Sequence, residues 1–271
     1  MKLQQRFMVI CALAWIICFC SALHAMDEHK QPAVLATTSL IETMATAVGG
    51  DKIQVVALIP AGICPGHFDM APQQIQLIHN SSLVLYHGWE SWIDEIQKLA
   101  PSSNTHFISL EKEGNLMIPD HYLNALKVVT EQISCLDPVN AKFYQEKGRA
   151  YSQTIANVAI LLKQKAKKIQ GMPVICSRLQ EHFLRWLGLN IIATYGRPDE
   201  LTPRTIIELI KSGRQHHIKA VIDNIQSGEN AGLMIAKDIP AIHIALTNFP
   251  INESYLEALK NNINKLLACA P

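Results

Sequence analysis

His67 lies in a loop rich in proline and glycine, within the segment IPAGICPGHFDMAP. The loop follows an apolar run at residues 53–58 that predicts a β-strand, and it precedes a helix that we expect to begin near Pro72. Because proline restricts the backbone, such a loop can hold one imidazole in a defined position. Imidazole nitrogen is a common ligand of transition metals. His67 is therefore a candidate metal ligand.

Polar side chains recur directly after other apolar runs that predict strands. His87 follows the run LVLY, Glu181 lies a few residues after PVIC, and Asp223 ends the run AVID. In open α/β sheets, ligands bind beyond the carboxyl ends of the strands. We therefore expect these side chains to line one cleft, where imidazole and carboxylate groups suit zinc, manganese or iron.

The elements that must position these residues alternate between strand and helix patterns, which predicts βα units with parallel sheets. Strands are expected at residues 33–37, 53–58, 83–86 and 107–109, and again at 174–176, 191–194, 220–222 and 242–245. Helices are expected at 40–48, 72–79, 91–99, 180–187, 205–212, 230–236 and 253–267. Between the two sets, residues 138–169 have helical periodicity, enough for one helix about 45 Å long.

This pattern predicts an α/β protein with two lobes, each with a parallel sheet flanked by helices, joined by one long linking helix. The predicted boundaries are a signal peptide at 1–25, an N-terminal lobe at 26–136, the linking helix at 137–170 and a C-terminal lobe at 171–271. The signal peptide has a basic start, an apolar run at 7–20 and small residues near Ala25. It predicts export to the periplasm, and the sequence leaves open whether this segment is cleaved or lipidated.

Composition bounds the possible partners. Of 271 residues, 49% are hydrophobic, and 24 Lys and Arg nearly balance 23 Asp and Glu. No strong overall field favours nucleic acid or an anionic membrane surface, so any partner must be recognised locally. We also expect a monomer. Four cysteines follow the predicted signal peptide without a CxxC pair, and the sequence leaves their state open: Cys64, Cys135, Cys176 and Cys269.

Three segments together resemble the solute-binding proteins of zinc and manganese ABC transporters. They are the opening VLATTSLIETMATAVGGDKIQVVALIPAG, the segment GHFDMAPQQIQLIHNSSLVLYHG, and DPVNA at the start of the long helix. The resemblance covers nearly all of the chain after the signal peptide. It implies two lobes bridged by the long helix, with one divalent cation held in the cleft by histidines and a carboxylate.

Carried over by position, the resemblance implies that His67 is the first ligand and that Asp223 is the carboxylate of the C-terminal lobe. His121, in MIPDHYLNAL, matches a second histidine that lies shortly before the first helix of the linker region, although the residues around it differ from the family pattern. The third ligand departs from the pattern, because VICSRLQEHF offers Ser177 or Arg178 there, and arginine does not bind metals.

Two replacements could supply the missing third ligand. Glu181 is favoured over its neighbour His182, and His87 could contribute a nitrogen. The five candidates exceed the roughly four ligands of a closed site, so at least one of them would orient another.

The predicted function is capture of a divalent transition metal, zinc or manganese with iron possible, and its delivery to an ABC permease, with no catalytic cycle. Arg178 and Arg197 leave open a binder of a metal chelate or siderophore in the same fold. An exported metallohydrolase is the alternative of another class, but no HExxH or GxSxG spacing supports it.

Overall fold

The computed structural model describes residues 31–68, 70–99, 105–110 and 114–269, so the predicted signal peptide lies outside it. The strands are β1 (Ala33–Ala36), β2 (Gln54–Ala57), β3 (Leu83–Tyr86), β4 (His106–Ser109), β5 (Pro173–Ser177), β6 (Asn190–Tyr195), β7 (Ala220–Asn224) and β8 (Ile242–Leu246). The α-helices are α1 (Ser39–Gly49), α2 (Pro72–His79), α3 (Ile93–Leu99), α4 (Pro119–Leu136), α5 (Ala141–Ala166), α6 (Glu181–Trp186), α7 (Pro203–Gln215), α8 (Asn230–Lys237) and α9 (Tyr255–Leu267).

The eight strands form two four-stranded parallel sheets with the same topology. The strand orders are β2-β1-β3-β4 and β6-β5-β7-β8, so the second strand of each set lies on one side of the first and the third strand on the other. In both sheets, the chain therefore continues from the first strand to one side of the sheet and then crosses back to the other side of that strand. A parallel α/β sheet opens a crevice at such a switch point, beyond the carboxyl ends of the strands.

The central strands are continuous apolar runs because helices cover both faces of each sheet. β1 reads AVLA, β3 reads LVLY, and β7 reads AVIDN with all five residues buried. The predicted fold class is confirmed, and all eight predicted strands are present with ends that differ by at most two residues.

A common helical layer joins the two sheets. α5 continues from a 3₁₀ turn at Pro138–Asn140 and ends in another at Lys167–Ile169, so a long helix lies in the middle of the chain as predicted. One buried cluster includes Val34 of β1, Val174 of β5 and side chains of α1, α4, α5 and α9. A single core therefore supports both sheets, which restricts their relative movement.

The sequence prediction missed α4, an 18-residue helix that packs along α5. It places His121 inside the first helical turn rather than before the helix. The ring of Tyr122, the next residue, stacks on Tyr255 of α9 with ring centroids 3.7 Å apart, which ties α4 to the last helix. Within the described residues, no helix combines the length and apolar character that a membrane span requires.

Candidate functional site

A cavity of about 540 Å³ lies between the carboxyl ends of the two sheets. The segment after every one of the eight strands contributes to its lining, from Leu40 after β1 to Phe249 after β8. The cavity thus occupies the crevice that the two switch points create.

On the first sheet, His87 and Thr38 meet at the switch point between β1 and β3. The Nε2 atom of His87 lies 2.9 Å from Thr38 Oγ1, and the His87 side chain lines the cavity although it is only 3% exposed. The imidazole stacks on Trp89 at 4.9 Å between centroids and makes a tilted edge contact with Phe249 at 5.8 Å. The ring is therefore held on three sides by side chains of both lobes.

The turn that carries His87 is fixed by the buried carboxylate of Glu90. Oε1 of Glu90 accepts hydrogen bonds from Thr37 Oγ1 at 2.8 Å and from the His87 amide at 2.9 Å, and Oε2 accepts one from the Gly88 amide at 2.7 Å. Three donors on one carboxylate make a rigid turn, because each backbone donor would otherwise be buried without a partner.

Burial lowers the pKa of His87 to about 4, and the nearby Glu90 carboxylate opposes this only in part. The imidazole is therefore neutral at physiological pH. A neutral imidazole has a lone pair available for a metal ion, whereas a protonated one does not.

The loop that carries His67 borders the same cavity. Cys64, Pro65 and Gly66 line it, and His67 ends the 3₁₀ turn that Pro65 begins. Trp92 Nε1 donates a hydrogen bond to the Pro65 carbonyl at 3.2 Å, which ties this loop to the segment after β3. The side chain of His67 lies outside the described part of the chain, so its role remains a prediction.

On the second sheet, the cavity floor is a network of side-chain amides. Gln180 Nε2 donates to Asn224 Oδ1 at 2.9 Å and to Asn248 Oδ1 at 3.2 Å, so the segments after β5, β7 and β8 are joined. Gln226 Nε2 donates to Thr247 Oγ1 at 2.7 Å, and Gln226 Oε1 accepts from the Asn248 amide at 3.1 Å. These neutral groups supply a polar floor without fixed charge.

The arginine side chains of the cavity come from the segments after β5 and β6. Arg178 and Arg197 line it together with His182. The Arg178 guanidinium lies 3.9 Å from the Glu200 carboxylate, and that of Arg197 lies against Gly66 of the first lobe.

Glu181 and His182 are adjacent in the chain but have different surroundings. Glu181 Oε1 accepts hydrogen bonds from Arg185 Nε at 2.9 Å and Nη2 at 2.7 Å, one turn along α6, and Glu181 is not part of the cavity lining. His182 lines the cavity. Successive helical residues point about 100° apart, so only one of the two can face the cleft.

Asp223 and His121 also lie outside the cavity lining. Asp223 is 1% exposed and bonded to Tyr195, His243 and the Gly232 amide. Burial raises the pKa of Asp223, and the hydrogen bonds from Tyr195 and His243 oppose that increase. His121 is half-buried at the start of α4.

The structure therefore brings one of the five predicted side chains, that of His87, into the cavity and places the backbone of His67 at its edge. Among the residues that the structure describes, no group of three or more His, Cys, Asp or Glu side chains is arranged to hold a metal ion. From the sequence, Glu181 is favoured over His182, and Glu90 is not among the candidates. The segment Glu90-Ser91-Trp92, which begins three residues after His87, could have indicated that Glu90 lies at the same strand end.

A chain with two parallel sheets and a ligand cavity between their strand ends is built to bind a small solute. It belongs to the family described as zinc-uptake complex component A, periplasmic (ZnuA), whose family model matches residues 34–269.

Curated relatives are similar over almost their full length. The metal ABC transporter substrate-binding lipoprotein FimA of Streptococcus parasanguinis is 23% identical over 301 residues, which cover 98% of this chain and 97% of the relative. The manganese ABC transporter substrate-binding lipoprotein PsaA of Streptococcus pneumoniae strain TIGR4 is 22% identical over 311 residues and 98% of each chain.

The fold is also that of a solved structure. The crystal structure of ZnuA superimposes with a TM-score of 0.80 at 16% identity and covers 89% of this chain and 100% of the ZnuA chain. These similarities confirm the predicted family. They fit the main functional prediction, a metal-transport binding protein, and not the siderophore or metallohydrolase alternatives.

Proposed function

We propose that this chain captures a divalent transition metal ion, zinc or manganese, in the cavity between its two sheets and delivers it to an ABC permease. The observation that carries the proposal is the neutral, buried imidazole of His87 at the switch point, in a chain that the ZnuA family model matches over residues 34–269. The names of the relatives support a binding protein that works outside the cytoplasm. We further expect it to act as a monomer and not as an enzyme.

The proposed ligands are nitrogen atoms from both lobes. His87 and His67 come from the segments after β3 and β2, and His182 comes from the segment after β5. His121 remains a further candidate. Glu181 is less suited because Arg185 engages its carboxylate, and Asp223 because it is bonded on both oxygens away from the lining.

Because Thr38 engages Nε2 of His87, the metal would take Nδ1 of that ring. A hydrogen bond to the non-ligating nitrogen fixes the tautomer and the ring orientation, as is usual for histidine ligands.

The test is metal analysis of the purified protein, followed by titration of the stripped protein with zinc and manganese. We expect one tightly bound equivalent in the wild type and a loss of at least tenfold in affinity for His67→Ala, His87→Ala and His182→Ala. His79→Ala is the matched control, because His79 is exposed at the end of α2. Absence of metal binding by the wild type would overturn the proposal.

A further inference from the structure

The carboxylate of Asp223 connects four elements of the second lobe on the side of β7 away from the cavity. Oδ1 is 2.6 Å from the donating hydroxyl of Tyr195 on β6, and Oδ2 is 2.7 Å from His243 Nε2 on β8. Oδ2 also accepts a hydrogen bond of 2.9 Å from the Gly232 amide on α8. One buried side chain thus joins β7 to its neighbour β8, to β6 on the other side of β5, and to the following helix.

The contact between Asp223 and α8 is a helix cap supplied from a distant position in the chain. Gly232 is the third residue of α8, where backbone amides have no partner within the helix, and the residue that precedes the helix makes no side-chain cap. A carboxylate there also interacts favourably with the helix dipole.

Position 232 requires glycine for this contact. A Cβ atom on Gly232 would overlap the Asp223 carboxylate and come within 2.8 Å of the Tyr195 hydroxyl. Any larger residue must therefore push α8 and Asp223 apart.

The hydrogen bond from Gly232 to Asp223 spans nine residues and closes the segment between them into a loop. Asn224 and Gln226, two polar groups of the cavity floor, lie in that loop. Gln226 in turn holds the segment after β8 through Thr247 and the Phe249 carbonyl.

The segment after β8 also contacts the first lobe. The rings of Phe249 and His87 are in edge contact, and the Pro250 carbonyl accepts a hydrogen bond of 2.7 Å from Ser39 on α1. A continuous set of contacts therefore leads from the Asp223 carboxylate to the imidazole of His87.

We propose that Asp223 is a positioning residue of the metal site, which holds the loop at residues 224–231 against the cavity through its contacts with Gly232, Tyr195 and His243. The inference rests on the proposed function for its effect on metal affinity, but its effect on the loop does not depend on a metal. It differs from the role of a metal ligand that the sequence predicts for Asp223.

Gly232→Ala and Asp223→Asn together test the two roles, because the first displaces the carboxylate but keeps it in the protein and the second removes its charge. For a positioning residue, Gly232→Ala and Asp223→Asn both lower zinc and manganese affinity by roughly tenfold, the scale of effects seen when a supporting group of a metal site is lost. Tyr195→Phe also lowers metal affinity, because it removes one hydrogen-bond donor to Asp223.

Gly213→Ala is the matched control. Gly213 is a helical glycine of the same lobe whose added Cβ would meet Ile239, Ile218 and Ile175 instead of Asp223. We expect it to lower thermal stability while it leaves metal affinity within twofold of the wild type. The double variant Asp223→Ala/Gly232→Ala should bind metal about as weakly as Asp223→Ala alone, since the overlap with the carboxylate is then absent and only the contact of the new Cβ atom with the Tyr195 hydroxyl remains.

Two outcomes would overturn the inference. One is wild-type affinity in Gly232→Ala. The other is a complete loss of binding in Asp223→Asn with little loss in Gly232→Ala, which would make Asp223 a ligand.

Hydrogen–deuterium exchange of the metal-free proteins tests the positioning role of Asp223 separately from the proposed metal binding. Gly232→Ala should accelerate exchange at residues 224–229 and 247–249, whereas Gly213→Ala should not. If the wild type binds no metal, the proposed function fails, and the exchange comparison alone then decides the positioning role. Unchanged exchange in Gly232→Ala would refute it.

Discussion

His87 Nε2 and Thr38 Oγ1 lie 2.9 Å apart, and this contact joins the ends of two adjacent parallel strands, β1 and β3. The two residues are 49 positions apart in the chain and both are buried. The chain leaves β1 toward β2 on one side and returns to β3 on the other side. A crevice therefore opens between the ends of β1 and β3, and the two residues meet there.

The hydroxyl of Thr38 should contribute to metal affinity by orienting the His87 ring. Thr38→Val keeps the side-chain shape, so we expect a fall in zinc or manganese affinity of about tenfold with little change in fold. Competition titration with a chromogenic chelator measures this. Thr154→Val serves as the control, because the exposed Thr154 hydroxyl bonds only within α5. Equal affinity for Thr38→Val and the wild type would contradict the role of Thr38.

The cysteines should differ in reactivity according to their surroundings. All four in the described part of the chain are free thiols; Cys135 is exposed, while burial raises the pKa of Cys176 to about 12. Because the thiolate is the reactive form, iodoacetamide at pH 8 should label Cys135 in the native protein and Cys176 only after unfolding.

Cys64 lines the cavity, so bound manganese should slow its labelling while that of Cys135 stays unchanged. Peptide mass spectrometry quantifies both sites in one sample. Equal rates for Cys64 with and without manganese would argue against metal binding in this cavity.

Close packing of α4 against α5 depends on Gly148. A Cβ atom there would lie 2.5 Å from Thr130 Oγ1 and 2.9 Å from Thr130 Cγ2. Gly148→Ala should therefore lower the free energy of unfolding by about 1–3 kcal/mol, although alanine favours an exposed helix by about 1 kcal/mol over glycine. Urea denaturation measures the change. Thr130→Ala in the same chain should recover most of the loss, and a Gly148→Ala protein as stable as the wild type would disprove the tight contact.

The start of α9 should make stability depend on pH. Ser254 and Glu257 form a capping box, and the hydrogen bonds from the Ser254 amide and hydroxyl lower the pKa of Glu257. A folded-state pKa below the unfolded value means that this stabilisation is present above the unfolded pKa and is lost as pH falls through the folded value.

Glu257→Gln should therefore reduce the melting temperature at pH 7, and the difference from the wild type should shrink as pH falls below about 4.3, the usual glutamate pKa. Differential scanning calorimetry across this range is the measurement. Glu131→Gln, at an exposed position on α4, is the control. A difference that stays constant with pH would show that the Glu257 carboxylate does not act through its charge.

The sequence by itself determined the strands, because a parallel strand buried on both faces must be a short continuous run of apolar residues. It also determined where ligands could collect, since the ends of those runs are visible in the chain. His87 after β3 and the Pro65–His67 turn after β2 follow from that rule. α4 could also have been predicted from the sequence, because Tyr122, Leu126, Val129 and Ile133 recur at helical spacing.

Only the tertiary structure decided which way individual side chains face. On β7, Asn224 faces the cavity while its neighbour Asp223 is bonded to β6, β8 and α8, because successive strand residues point to opposite faces. At the start of α6, a rotation of about 100° separates Glu181 from His182, and it is His182 that lines the cavity. The packing of the sheet and the helix against distant parts of the chain decides which of two adjacent residues faces the ligand. The local sequence does not specify that packing.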